Sequence, residues 1–178
     1  MRGRSLHDRS RYFDETLWPH LRAAYNFARW LVRNDHDAED IVQESFVKAF
    51  RSLESFRGGD PRVWLLVIVR NTAMTLLQRR QSETTSPWNE MESEPMDTNL
   101  NPENALFEKM RRRRVRTAIE QLPDEFRDTL ILRELEEFSY KEIAGILNVP
   151  IGTVMSRLAR ARILLLRELM VERRADEL

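Results

Sequence analysis

Residues 139–162, SYKEIAGILNVPIGTVMSRLARAR, constrain this chain more than any other stretch, because they read as two short helices joined by a tight turn, the second rich in arginine. Ser139 followed three residues later by Glu142 is a capping box opening the first helix, to which Ile143, Ala144, Ile146 and Leu147 give an apolar face. Asn148, Val149 and Pro150 break it. Gly152 and Thr153 start a second helix, in which Val154, Leu158 and Ala161 are placed to pack inward and Ser156, Arg157 and Arg160 to face outward. Laying a second helix in the major groove of DNA requires that division of faces. An arginine-rich amphipathic helix is also the ordinary form of a solvated surface helix. The conjunction of capping box, short turn, small residues at the crossing point and basic outer face favours a helix-turn-helix.

The rest of the composition points to an all-α fold. Glycine occurs only five times, alternating Val/Thr/Tyr runs are missing, and Leu, Ala, Arg and Glu abound. The 178 residues suit one domain or two small ones, and an apolar fraction of 42% is enough to bury a core. A formal net charge of zero conceals segregation along the chain, so local charge is the useful quantity. With no cysteine there is no disulfide framework and no thiolate metal site. His7, His20 and His36 lack His or carboxylate partners at ligand spacing and read as surface histidines, so no metal is expected. No nucleophile elbow or phosphate loop occurs, and neither enzymatic activity, a cofactor nor a small-molecule substrate is expected. The charged first residues and the lack of an 18-residue apolar run point to a cytoplasmic protein without membrane insertion.

Two helical blocks flank an unusual connector. Residues 81–101, QSETTSPWNEMESEPMDTNLN, hold two prolines, five acidic residues and no basic ones. So few apolar groups do not offset the entropy of ordering, and a flexible acidic linker is expected, with Trp88 and Met91 as its only anchors. Residues 1–80 and 102–178 then form two small helical domains. The first is expected to hold three helices: one from about Thr16 to Asn34 with Pro19 in its first turn, one from about Asp37 to Leu53 with Ile41, Val42, Phe46, Ala49 and Phe50 inward, and one opened by Pro61. In the second, Asn101 and Pro102 read as N-cap and N1 of a fourth helix, LPDEFRDTLILREL as a fifth, and the helix-turn-helix pair follows.

The segments DAEDIVQESFVKAFRSLESF, WLLVIVRNTA, the acidic linker and LPDEFRDTLILRELEEFSYKEIAGILNVPIGTVMSRLARAR stand in that order. Together they resemble an extracytoplasmic-function (group 4) sigma factor of bacterial RNA polymerase, over about Thr16 to Leu169. The resemblance implies a promoter-specificity subunit. Its first domain, sigma-2, would bind the clamp helices of the largest polymerase subunit and open the minus-10 element. Its second, sigma-4, would bind the flap of the second largest subunit and read the minus-35 element. An anti-sigma factor that restrains the protein, and control of stress or envelope-response genes, are further implications.

The resemblance also implies sites. Asp40, Gln43, Glu44, Val47 and Lys48, on one outer face of the second helix, match the core polymerase-binding surface. The same face equally reads as a solvated one with a Glu44–Lys48 link. Phe56 and Asn71 match the minus-10 pocket, flanked by Arg57, Arg62 and Arg70, in keeping with the aromatic faces and basic surface that hold an unstacked base. Phe56 reads as well as a lid on the core, and Trp64 is expected to pack inside. Arg133, Thr153, Met155, Ser156, Arg157 and Arg160 match the minus-35 contacts. The pattern departs from the family at Met155, often arginine, and Ala159, often bulky, so minus-35 specificity is expected to be weaker or different. The run Arg111–Arg114 faces several directions at once and reads as solvated. The other reading that the residues leave open is a free-standing helix-turn-helix regulator that binds duplex operator alone, as a dimer on paired half-sites.

Overall fold

A computed structural model describes residues 6–82 and 102–176, which form two compact units and contain no strand. The first unit is built on α1 (Leu6–Leu17), α2 (Leu21–Val32), α3 (Asp35–Arg51) and α4 (Pro61–Ser82), and the second on α5 (Pro102–Glu120), α6 (Asp124–Glu134), α8 (Ile151–Asp176) and the start of α7 (Tyr140–Leu147). The all-α architecture agrees with the sequence. Gln81 and Ser82, assigned above to the linker, continue α4, and its remainder, with Trp88 and Met91, lies outside the described residues.

The single helix expected over Thr16–Asn34 is two. Pro19 has no N–H to donate and its ring crowds the preceding turn, so the chain leaves α-helical geometry at Leu17 and passes through a 3-10 turn, Trp18–His20, before α2 begins. Upstream lies a helix that the charge of its sequence hid. Phe13 and Leu17, four residues apart, are its buried side, and the Phe13 ring stands edge-on to Phe46 at 5.9 Å and Phe50 at 5.2 Å. Arg9 from the same helix donates to the carbonyls of Phe50 at 2.7 Å and Arg51 at 3.2 Å, meeting the orphan acceptors at the end of α3. Phe50, expected in the core, is half-buried and carries the Arg9 guanidinium over its ring.

The turn between α2 and α3 is set by two residues. Arg33 takes a left-handed conformation, φ 55°, that ends α2, and Asn34 accepts a 3.0 Å bond from the Asp37 N–H, so α3 starts two residues earlier than expected. Asp35 and Asp37 then occupy the first turn, where the helix dipole favours them. Each is also claimed by an arginine from a neighbouring helix: Asp35 by Arg29, and Asp37 by a bidentate pair with Arg80 at 2.6 Å. The core beneath is close-packed because small and large residues alternate. Ala24, Phe27, Ala28 and Leu31 of α2 meet Ala38, Ile41, Val42, Phe46 and Ala49 of α3 and Leu65, Leu66, Val69 and Ala73 of α4.

In the second unit, α5 begins at Pro102 as the sequence anticipates, with Asn101 outside the described residues. Arg127 of α6 is almost wholly buried. Its Nη1 donates to Asp124 at 2.8 Å and its Nη2 to Asp128 at 3.3 Å. The capping box forms as read: the Ser139 N–H donates to Glu142 at 2.7 Å and the Glu142 N–H to the Ser139 hydroxyl at 3.3 Å. Replacing Ser139 with alanine is expected to lower the stability of this unit by about 1 kcal/mol, measurable as a shift in urea midpoint at unchanged slope. The second helix of the pair is not short. No glycine or proline follows Gly152, the residues are strong helix formers, and α8 runs for 26 residues.

Candidate nucleic-acid interface

The outward face of α8 is built from the turn upward. Asn148, at φ 53°, ends α7, and the Pro150 carbonyl accepts from the N–H groups of Thr153 at 2.9 Å and Val154 at 3.2 Å. Val154, Leu158 and Ala161 are buried as expected, which turns Met155, Ser156, Ala159 and Arg160 to solvent. Thr153 is half-buried and its carbonyl accepts from the Ser156 hydroxyl at 3.0 Å. Met155 exposes 54% of its surface and lies on one side of α8 with Ile151 and Ala159, which are exposed one turn to either side.

Two arginines of the expected set are already engaged. Arg157, read from sequence as free to face outward, lies along α6 with its Nη2 2.9 Å from Glu125, and only 21% of its side chain is exposed. The wheel position of residue 157 explains the difference: it borders the buried stripe, so its long stem lies against the neighbouring helix rather than in water. Arg133 donates to the Phe138 carbonyl at 2.9 Å and sits over the Tyr140 ring at 5.3 Å, which ties the end of α6 to the start of the helix-turn-helix. Of the run Arg111–Arg114, the first three are exposed, while Arg114 donates to the Leu169 carbonyl of α8 at 3.0 Å.

In the first unit, Asp40, Gln43, Glu44 and Val47 are exposed on α3, with 48% of Val47 open to solvent. Lys48 borders this face. Its ammonium lies 2.8 Å from Glu44, the link anticipated from the spacing, and donates at 3.1 Å to the hydroxyl of Thr72, a buried residue of α4. Thr72 thereby couples α3 to α4, a role that no local sequence signal announced. His36 proves to have a carboxylate partner after all, since its Nδ1 lies 3.4 Å from Asp40 one turn along α3. Among the described residues no group of three His, Asp or Glu is arranged to hold a metal ion, and no helix is long and apolar enough to cross a membrane.

Phe56 follows the 3-10 turn Leu53–Ser55, and its half-buried ring packs at 5.0 Å on that of Trp64 in the first turns of α4. Trp64, expected inside, is itself only half-buried. The loop between them needs its glycines: Gly58 at φ 93° and Gly59 at φ 103° hold conformations that side chains rarely adopt. Asp60 then accepts from the Arg62 N–H at 2.8 Å, starting α4. Asn71 is exposed seven residues beyond Trp64, hence two turns along the same side of α4. Arg57 is exposed, and Arg62 and Arg70 are half-buried. The structure thus joins Phe56 to Trp64 and spaces Asn71 along the helix from that pair.

Two helical units of this kind, one carrying a capped helix-turn-helix, fit the architecture of a DNA-binding transcription factor. The sequence matches the Sigma-70 region 2 model over residues 19–83 and the Sigma-70 region 4 model over residues 112–165. The ECF RNA polymerase sigma-E factor of Salmonella typhimurium is 41% identical over 134 residues, covering 71% of this chain and 70% of that protein. The ECF RNA polymerase sigma factor SigE of Mycolicibacterium smegmatis is 34% identical over 156 residues, 84% of this chain and 58% of that protein. Among solved structures, the sigma factor RpoE in complex with the anti-sigma factor NepR, from Bartonella quintana, aligns with a TM-score of 0.75 and 29% identity over 89% of this chain and 97% of that one. The chain belongs to the extracytoplasmic-function sigma factors of bacterial RNA polymerase, a family that is not a class of enzyme.

Proposed function

We propose that this chain works in the cytoplasm as the promoter-specificity subunit of RNA polymerase. The exposed face of α3, with Val47 set among Asp40, Gln43, Glu44 and Lys48, docks on the clamp helices of the largest subunit, and the second unit docks on the flap of the second largest. A half-exposed apolar residue ringed by charges, with Lys48 held in place by Thr72, suits such a contact: the apolar group supplies affinity and the charges set the register. Phe56, with Arg57, Arg62, Arg70 and Asn71, holds the opened minus-10 strand, and Trp64 backs the Phe56 ring. Thr153, Met155, Ser156 and Arg160 face the minus-35 element, with Arg133 beside them. The observation that carries this reading is the pairing, in one chain, of a capped helix-turn-helix with the separate α3 face.

An anti-sigma factor that covers these faces, and a set of stress or envelope-response genes, complete the proposal. The RpoE structure with NepR supports the first by likeness. The test is reconstitution with core RNA polymerase. Co-elution with core, and transcription from double-stranded fragments that share spaced minus-35 and minus-10 motifs, are expected. A chain that ignores core but retains a duplex operator by itself would be a free-standing regulator instead.

A further inference from the structure

Arg157 and Arg162 flank the buried stripe of α8. At 100° per residue they lie roughly 70° to either side of the line through Val154, Leu158 and Ala161. Each is bonded to a carboxylate of α6, Arg157 to Glu125 at 2.9 Å and Arg162 to Glu134 at 2.7 Å. Arg160 lies beyond Arg157 on the wheel and is exposed. Ion pairs this close to water contribute little to stability, with 53% of the Glu125 side chain and 47% of that of Glu134 exposed, so their consequence is geometric. They set where the two guanidinium groups rest in the free chain.

We propose that Glu125 sets how tightly the second helix holds DNA of any sequence. It holds the Arg157 guanidinium along α6 and so withdraws this cation from the phosphate backbone, leaving the base edges to Ser156 and Arg160. The inference rests on the reading of α8 as the DNA-facing helix. A cation released to the backbone attracts every duplex alike, whereas one directed at a base edge discriminates. An arginine parked on a carboxylate therefore lowers affinity for every duplex and leaves the difference between right and wrong sequences unchanged. Because Glu125 lies 32 residues before Arg157, no motif in the helix-turn-helix itself reveals the restraint.

The test compares the full chain, Glu125→Gln and the double variant Glu125→Gln/Arg157→Gln, each titrated with a promoter duplex and a scrambled duplex, alone and with core polymerase, from 50 to 200 mM salt. Glutamine keeps the shape and removes the charge. Glu125→Gln is expected to tighten binding to both duplexes and to steepen the salt dependence by about 0.9 in log–log slope, one extra phosphate contact. Over that fourfold range of salt its advantage should shrink by about 3.5-fold, and the preference for promoter over scrambled duplex should stay unchanged. The double variant should lose the gain. Binding by Glu125→Gln no tighter than that of the native chain overturns the proposal, and so does a gain that persists without Arg157, which would be simple relief of carboxylate–phosphate repulsion. If the native chain with core polymerase selects no promoter, the sigma reading fails, while the comparison of slopes on duplex alone still decides the role of Glu125.

Discussion

Replacing Arg127 with alanine is expected to lower the unfolding free energy of the second unit by about 3–5 kcal/mol, the usual cost of breaking a buried ion network from one side. Only 2% of the Arg127 side chain is exposed, and its guanidinium bridges Asp124 and Asp128, the latter with 8% of its side chain exposed. Alanine both opens a cavity and strips the buried Asp128 carboxylate of this cation, and folded domains have only about 5–15 kcal/mol in reserve. Urea unfolding measures the loss. Hydrogen exchange over α6 and α8 assigns it to this unit, because amides of the first unit should keep their protection. Lysine should not rescue, since one ammonium lacks the planar fork that spans two carboxylates. Arg127→Met combined with Asp128→Asn should recover much of the loss, because no buried charge then stands uncompensated. A loss below about 1 kcal/mol for the alanine variant would mean that apolar packing alone holds α6 in place.

Changing Val47 to glutamate is expected to weaken binding to core RNA polymerase at least about 30-fold, the effect of losing a hot-spot contact of 2 kcal/mol or more. Val47 is half-exposed, so the isolated chain should melt within a degree or two of the native protein, as surface substitutions usually do. In the complex the same position would carry a desolvated carboxylate among the like charges of Asp40 and Glu44. Val47→Ala, which only trims the contact, should have a much smaller effect, and the ratio between the two variants reports how completely the site is dried on docking. Co-elution with core and fluorescence anisotropy of labelled chain provide the measurement. Unchanged affinity in Val47→Glu would remove α3 from the polymerase interface and leave the second unit to carry it.

How much of the molecule is legible in the sequence depends on how far apart the partners lie. The capping box of Ser139 and Glu142, the Pro102 and Pro61 helix starts and the buried stripe of Val154, Leu158 and Ala161 all lie within a turn or two of chain, and all form as read. The Glu44–Lys48 link belongs with them. Helix α1 is less legible because its apolar signal is only Phe13 and Leu17 amid charges, and those charges are spent at a distance: Arg9 caps α3 more than forty residues later. The break at Trp18–His20 is a matter of local chemistry that the periodicity overrode, since Leu17, Leu21 and Ala24 keep helical spacing across the proline.

The engaged arginines are different in kind. Sequence places Arg133, Arg157 and Arg160 in one basic set, and their spacing sets Arg157 nearer the buried stripe than Arg160 without naming the partner of any of them. The fold separates them by what it brings near: a carbonyl and a ring for Arg133, a carboxylate for Arg157, and an open face for Arg160. The sequence by itself therefore determined the helical class, the two-part organisation and the family, because hydrophobic period, caps and ordered motifs are local properties of the chain. Only the tertiary structure decided which partner each charged side chain meets within the fold. A guanidinium or carboxylate takes the nearest partner that packing supplies, and packing joins residues such as Asp37 and Arg80, 43 positions apart, that share no local pattern.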